Sequence, residues 1–330
     1  MQMLSNLLIV CTLLGAAEDK YQQYIDKASG VVMKPDKDGF DDPYGDGVWR
    51  SSWFYGSLLI IKNKDAGTYN QIVQDHHLDM ADLDKFLVYF RDNCTTGDQF
   101  TLPKNPSQKF SGDQLAPLLY LLASVNQYGE ESSKAAAKTI LERLSALVKK
   151  KGALSDAKKG QILPNQEYLI DLVCKMYGFE HSNGLTRGLQ KTAFSAACKA
   201  HNIIAQAPDD RIATLDDYAV FNALSLVTVT AMKWGKDDSD VNSWRENYRL
   251  HADKGWGPAF RIVSGRSIDD ATIDSYKTMY IKRDLDNDIV LSQRPHKFLN
   301  NTFPTSLNSG PGIYRVLDYV ILKALQSEWK

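Results

Sequence analysis

The sequence predicts an all-α protein, and three observations carry that prediction. Apolar residues recur at every third and fourth position in segment after segment. Amphipathic segments alternate with segments that are apolar nearly all round, which separates an outer layer of helices from a buried inner one. Strand signals are confined to the short alternations Phe260-Arg261-Ile262-Val263 and Ile289-Val290-Leu291, too little for a sheet.

In chain order, helices are expected at 3–28, 47–63, 66–76, 80–93, 112–127, 131–150, 165–178, 184–206, 215–233, 239–251, 268–281 and 311–328. The first holds the apolar run Leu7 to Ala17, which resembles the core of a secretion signal. No Lys or Arg precedes that run, and the apolar text continues into Glu18-Asp19-Lys20-Tyr21-Gln22-Gln23-Tyr24-Ile25 at helical spacing. It therefore reads as a buried first helix too short to span a bilayer, and a cytoplasmic or particle-assembled location is favoured over a secreted one. In 131–150, Ala135, Ile140, Leu141, Leu144, Leu147 and Val148 form one face, and Lys134, Lys138, Glu142 and Arg143 the other. Lys149-Lys150-Lys151 ends this helix, where cations favour the macrodipole. Leu115 to Val125 and Val220 to Met232 are apolar on every side and mark inner helices.

The connecting loops at 29–46, 95–110, 152–163, 207–214, 253–267 and 284–310 hold most of the Gly, Pro and Asp together with aromatics, a composition suited to ordered binding loops. No composition break marks a linker, so 1–330 reads as a single helical domain. The formal net charge of -1 provides no field for nucleic acid or an anionic membrane, and neither is expected as a partner. Of Cys11, Cys94, Cys174 and Cys198, none forms a C-x-x-C pair; Cys11, Cys174 and Cys198 lie in apolar helical text and read as buried thiols, as a reducing compartment would leave them.

One arrangement recurs four times: a polar Gly/Asp loop runs straight into a long apolar helix. The stretches are Asp46-Gly47-Val48-Trp49-Arg50-Ser51-Ser52-Trp53-Phe54-Tyr55, Phe110-Ser111-Gly112-Asp113-Gln114-Leu115, Leu215-Asp216-Asp217-Tyr218-Ala219-Val220-Phe221 and Ser309-Gly310-Pro311-Gly312-Ile313-Tyr314-Arg315. If these helix starts share one end of the molecule, they ring a common hollow. Asp46 is a fitting N-cap and can pair with Arg50, but a carboxylate, an indole, a guanidinium and two hydroxyls within two turns of an apolar helix also suit a binding site. Ser111 and Gln114 fit a capping box, which leaves Asp113 without a structural duty beyond favouring the dipole. The upstream copy Thr96-Gly97-Asp98-Gln99 shows that the tetrapeptide alone is not diagnostic.

Two acids at one mouth suffice for glycoside hydrolysis, so Asp46 and Asp113 are the candidate acid/base pair, with Arg50 orienting one of them. Trp49, Trp53, Gln114, Trp256 and Tyr314 are candidates to hold a saccharide, the rings by stacking; at least half of the aromatics are expected in the core. Arg294-Pro295-His296, with Tyr276 and Tyr280, would instead suit β-elimination, with Arg294 neutralising a uronate and His296 moving a proton. Asp36-Lys37-Asp38-Gly39-Phe40-Asp41-Asp42 and Asp284-Leu285-Asp286-Asn287-Asp288 resemble calcium loops but lack the closing Glu, so no metal is expected, and no cofactor fingerprint is present.

With Asp46 to Tyr55, Ser111 to Leu122 and the helix count, the chain resembles the (α/α) toroid carbohydrate-active enzymes, the six-hairpin glycosidases and toroid polysaccharide lyases. The resemblance is one of architecture and implies a toroid, complete or incomplete, whose inner-helix starts form a cleft for a saccharide substrate. A glycoside hydrolase is the first expectation and a polysaccharide lyase the second. A non-catalytic glycan-binding or structural component of a larger assembly is the alternative from another class. A helical isoprenoid enzyme ranks last, because Asp41-Asp42 and Asp216-Asp217 lack the third acid of D-D-x-x-D. Sugar unit, linkage and oligomeric state are left open.

Overall fold

The computed structural model describes residues 22–33, 47–95, 98–155, 160–205, 216–235, 241–246, 257–266, 268, 270–271, 273 and 311–330. These residues are mostly helical, with little strand, so the all-α expectation holds. The expected first helix lies mainly outside the described residues. Where it can be followed, it does not reach residue 28: a 3-10 turn at Gln22–Tyr24 gives way to a tight turn at 27–29, closed by an antiparallel bridge between Ile25 and Val32. Phe260 to Val263, noted for its alternation, is helical.

Helix α1 (Gly47–Lys64) is buried from Val48 to Ile61 apart from Trp49, and its exposed end Lys62-Asn63-Lys64 marks where it leaves the core. Asp65 then caps α2 (Ala66–His76) by accepting the Thr68 amide at 3.1 Å. Helix α3 (Ala81–Asn93) buries Leu83, Phe86, Leu87 and Phe90. A hairpin of β1 (Thr101–Leu102) and β2 (Asn105–Lys109) follows, held by Phe100 and Phe110 against Phe90. A 3-10 turn at Gly112–Gln114 leads into α4 (Leu115–Tyr128), buried continuously from Leu115 to Val125. The amphipathic α5 (Glu131–Lys151) closes on Gly152 in the left-handed region, φ 64°. After it come α6 (Pro164–Met176), α7 (Gly184–Ala205), α8 (Asp216–Trp234), α9 (Gly257–Val263) and α10 (Pro311–Trp329).

The direction of the inner helices follows from which residues meet. Along α1 and α4, the Trp53 ring packs tilted on Tyr120 at 4.6 Å, Ser57 meets the Tyr120 hydroxyl at 3.2 Å, and Asn63 reaches the Tyr128 carbonyl at 3.5 Å. Early residues meet early residues and late meet late, so the two helices run parallel. A Cβ on Gly56 would stand 2.9 Å from the Tyr120 ring, which explains glycine at this crossing. Helix α6 runs the same way: Gln166 reaches the Gly112 carbonyl at 3.5 Å, the Tyr177 hydroxyl the Leu122 carbonyl at 2.6 Å, and Asn126 the Met176 carbonyl at 3.0 Å. Helix α8 packs on α4 and α6, and α10 packs on α1. The last turns of α8 and α10 join through Lys233 and Glu328 at 2.9 Å, and Trp234 at the end of α8 lies edge-on to Tyr128 at 5.9 Å. At the far side of α10, the Thr68 hydroxyl and amide hold the Asp65 carboxyl below its ordinary range, and the Lys330 charge adds to them. The C-terminal ends of α1, α4, α6, α8 and α10 therefore gather at one end of the molecule.

Returning helices lie outside. Helix α7 is antiparallel to α6, with Ser182 and Arg187 on Asp171 and Gln190 on Glu167. Helix α3 runs parallel to α5, from Ser133–Asp84 at 2.5 Å to Arg143 on the Arg91 carbonyl. The sequence pattern implied an inner and an outer layer of helices, without their directions.

Candidate functional site

Since the inner helices share a direction, their N-termini share the opposite end. Four of these starts are the four polar stretches singled out in the sequence, and α6 supplies a fifth. Asp46, Trp256, Arg294 and His296 lie outside the described residues, as do the two acidic loops at 36–42 and 284–288. Asp216 and Tyr314 are placed by their backbone in the first turns of α8 and α10.

At the head of α1, Arg50 is almost fully enclosed, and its Nε donates to the Val32 carbonyl at 3.0 Å. The Val32 amide donates to Ser51 Oγ at 2.8 Å, and the Tyr55 hydroxyl donates to the Gly30 carbonyl at 2.7 Å. These side chains fasten segment 25–33 between α1 and α3. The contact is close enough that a Cβ on Gly30 would fall 2.1 Å from the Asp82 carbonyl oxygen. Trp53 is closed to solvent against Tyr120 and belongs to the core, while Trp49 is half-buried beside it.

At the head of α4, Asp113 is half-buried and accepts the Ser111 hydroxyl. The capping box expected here does not form: Ser111 makes no side-chain cap, and its hydroxyl is taken by Asp113. Gln114 is buried, and neither its Oε1 nor Ser52 Oγ on α1 has a hydrogen-bond partner. Such enclosed polar atoms are not peculiar to this end: the Trp329 indole nitrogen, at the opposite end, also has no hydrogen-bond partner among the described residues. The 3-10 turn that carries Asp113 packs against α1.

Gln166 was not singled out in the sequence. Its Oε1 accepts the Leu163 amide at 2.9 Å, closing the start of α6, and its Nε2 ties that start to Gly112. Pro164 with Gln166 two residues on is an ordinary helix-start signal and gave no hint of the tie to Asp113's turn.

A second polar group sits between α5, α6 and α7. Asp171 is fully buried and receives Arg187 and the Ser182 amide, the latter at 2.9 Å. Ser145 Oγ meets His181 Nδ1 at 2.9 Å. Burial first, and then the Lys149 charge, push the His181 imidazole down to about 4, so its ring is neutral. Serine, histidine and aspartate are close, but Asp171 is committed to Arg187 and Ser145 is enclosed, so the group ties helices together and offers no open nucleophile. Cys174 beside it is likewise buried, and the thiol of Cys94, which the sequence did not mark as buried, is pushed up to about 12 by burial.

Among the described residues no three His, Cys, Asp or Glu side chains form a metal-binding group, and no helix is long and apolar enough to cross a membrane. No protein-family model, curated protein or solved structure matches the chain.

Proposed function

We propose that the chain is a carbohydrate-active enzyme, a glycoside hydrolase by preference, built as a compact or incomplete (α/α) toroid. Its cleft lies at the N-terminal end of the inner helices, where Asp113 and Asp46 serve as the acid/base pair on a saccharide. The observation that supports this most is the shared direction of α1, α4, α6, α8 and α10. It supports a common end for the polar helix starts, otherwise far apart in sequence. The opposite end is filled by Tyr128, Trp234, Lys233, Glu328 and Trp329, which leaves the N-terminal end as the place for a ligand. Positive helix ends there stabilise a carboxylate and the charge that develops on a leaving oxygen. Asp113 is half-exposed on a short turn, where it accepts the Ser111 hydroxyl and makes no ion pair among the described residues, as a proton-transferring group requires.

The test is a panel of oligo- and polysaccharides read by release of reducing ends and by ultraviolet absorbance of unsaturated products. Reducing ends without absorbance support hydrolysis; both signals together point to elimination. Silence on both overturns the enzymatic reading in favour of glycan binding. Asp113→Asn is expected to lower turnover by about 100-fold or more with the melting temperature within a few degrees of the parent. A large fall in melting temperature with turnover kept would make Asp113 a structural residue.

A further inference from the structure

The aromatic rings of the fold sort into groups of different chemistry. Beneath the hairpin, Phe86, Phe90, Phe100 and Phe110 pack ring to ring, and phenylalanine resists one-electron oxidation. Along α4, the row of contacts joins indoles and phenols, which give up an electron far more readily. Trp53 lies 4.6 Å from Tyr120, Tyr120 stacks on Trp234 at 6.3 Å, and Trp234 meets Tyr128 edge-on at 5.9 Å. Half-buried Trp49 stands one helical turn before Trp53 on the same side of α1. The row starts at the N-terminal end of the inner helices and finishes at the other end, where Asn63 of α1 meets Tyr128. From Trp49 to the level of Asn63 it covers roughly 20 Å at the usual helical rise.

Two features give the row a direction. The first is a proton acceptor at its last ring: the Tyr128 hydroxyl donates to the buried Glu328 carboxylate at 2.5 Å. Burial first, and then Glu328, hold that phenol well above the ordinary tyrosine range, so at rest it keeps its proton. Loss of an electron turns a phenol into a strong acid, and the proton then passes to Glu328. The Tyr120 hydroxyl instead meets that of Ser57 at 3.2 Å, a neutral group and a poor base, so a hole crosses Tyr120 without resting there. The second feature is charge. Tyr128 and Trp234 are the last residues of α4 and α8, where the negative ends of the helix dipoles favour positive charge. Trp329 is set apart from the row, because Lys233 and Arg245 lie 4.6 and 5.4 Å from its ring and oppose a positive charge on it. Lys64 lies 5.7 Å over the Tyr128 ring, but a tyrosyl radical that has shed its proton is neutral and meets no such opposition.

We propose that Trp49, Trp53, Tyr120, Trp234 and Tyr128 form a path that drains one-electron oxidising equivalents from the N-terminal end of the inner helices to Tyr128. The oxidant is of the free-radical class and is reduced by one electron from Trp49. The vacancy is refilled from Trp53, then across Tyr120 from Trp234, and finally from Tyr128. The Tyr128 proton moves to Glu328 and leaves a neutral tyrosyl radical. A solvent reductant of the thiol or ascorbate class returns the electron, and Glu328 returns the proton. The path is independent of the saccharide reading and holds whether or not the chain cleaves glycans.

The full chain is exposed to azide radicals from pulse radiolysis, which oxidise indoles in preference to phenols at neutral pH. Decay of the indolyl radical and growth of the tyrosyl radical are followed by absorbance. The site of the radical is read by peptide mass spectrometry after capture with a nitroso spin trap. Transfer at a rate independent of protein concentration, with the adduct on Tyr128, supports the proposal. That adduct is expected to be lost in Trp49→Phe and in Trp234→Phe, although neither alters Tyr128, and to be kept in Trp329→Phe. Trp234→Tyr returns an oxidisable ring and is expected to restore the adduct, which separates a broken path from a disturbed core. Glu328→Gln removes the base and is expected to slow growth of the tyrosyl radical. Every variant is read at a temperature where circular dichroism shows it folded. A Tyr128 adduct that survives Trp49→Phe, or that Trp329→Phe removes, overturns the proposal, because the oxidant then reaches this end directly. Absence of the adduct from the parent overturns it too, as do transfer that quickens with protein concentration and an unslowed radical in Glu328→Gln.

Discussion

In the polar group between α5, α6 and α7, burial acts on the protonation of His181. Its pKa stands near 4 in the fold against an ordinary 6.5, so the native state holds the neutral ring. A depressed histidine contributes its stability in full above about 6.5 and loses it as pH falls toward 4, where the native ring finally takes its proton. The loss amounts to about 3 kcal/mol. Denaturant unfolding between pH 7 and 4 is expected to show this slope in the parent and a shallower one in His181→Gln. Equal slopes would mean the imidazole is protonated in the fold. Asp171, one layer deeper, has the opposite vulnerability. Asp171→Ala leaves Arg187 without its carboxylate and the Ser182 amide without an acceptor, an expected loss of about 3–5 kcal/mol in the same measurement. None of this was legible in the sequence, because Ser145, Asp171 and Arg187 lie on three helices and His181 on the loop between two of them, and only packing joins them. The same holds for Arg50: its cost inside an apolar helix was readable, but its attachment to Val32 was not.

At the scale of elements, much was legible, because the signals are local. The starts of α2, α3, α5, α6, α7 and α8 fall within a residue or so of the periodicity reading, and the all-round apolar text of α4 corresponds to burial on every side. The hairpin at 101–109 escaped notice for a physical reason. Its text, Thr101-Leu102-Pro103-Lys104-Asn105-Pro106, has no alternation and two prolines, and of its outer bonds, to nearby Cys94 and to Leu154, the second runs to a residue remote in sequence. The contact between α1 and α4 was also out of reach, although its glycine was visible. Gly56→Ala raises helix propensity, yet it drives a methyl to 2.9 Å from the Tyr120 ring. Overpacking outweighs propensity here, with an expected net loss of about 1–3 kcal/mol by thermal or denaturant unfolding. An unchanged or raised stability would mean that Tyr120 can step aside, and with it the Trp53 ring.

The whole molecule is polarised. Parallel inner helices collect their positive ends at the side of Asp113 and their negative ends at the side of Lys233, so one end attracts anionic groups and the other needs cations. The four polar stretches allowed this arrangement to be anticipated, although nothing in the sequence fixed the common direction. The negative end answers its own requirement with Lys233, which pairs with Glu328 at 2.9 Å and lies 4.6 Å from the Trp329 ring. Glu328 is buried and also accepts the Tyr128 hydroxyl at 2.5 Å, so the last turn of the chain is fastened to both α4 and α8. Lys233→Met strands a buried carboxylate and is expected to cost about 3 kcal/mol, the lower end for a buried pair because Lys233 still meets solvent. Glu328→Gln on top of it removes the stranded charge, so the double variant should be more stable than Lys233→Met alone. A double variant weaker than either single one would show that Glu328 acts through packing rather than charge. Because this cluster stands at the end opposite Asp113, both variants should leave the proposed saccharide turnover unchanged at temperatures where they remain folded. Turnover lost in step with the Lys233–Glu328 pair, in a chain still folded by circular dichroism, would place the working end of the molecule at the C-termini of its inner helices.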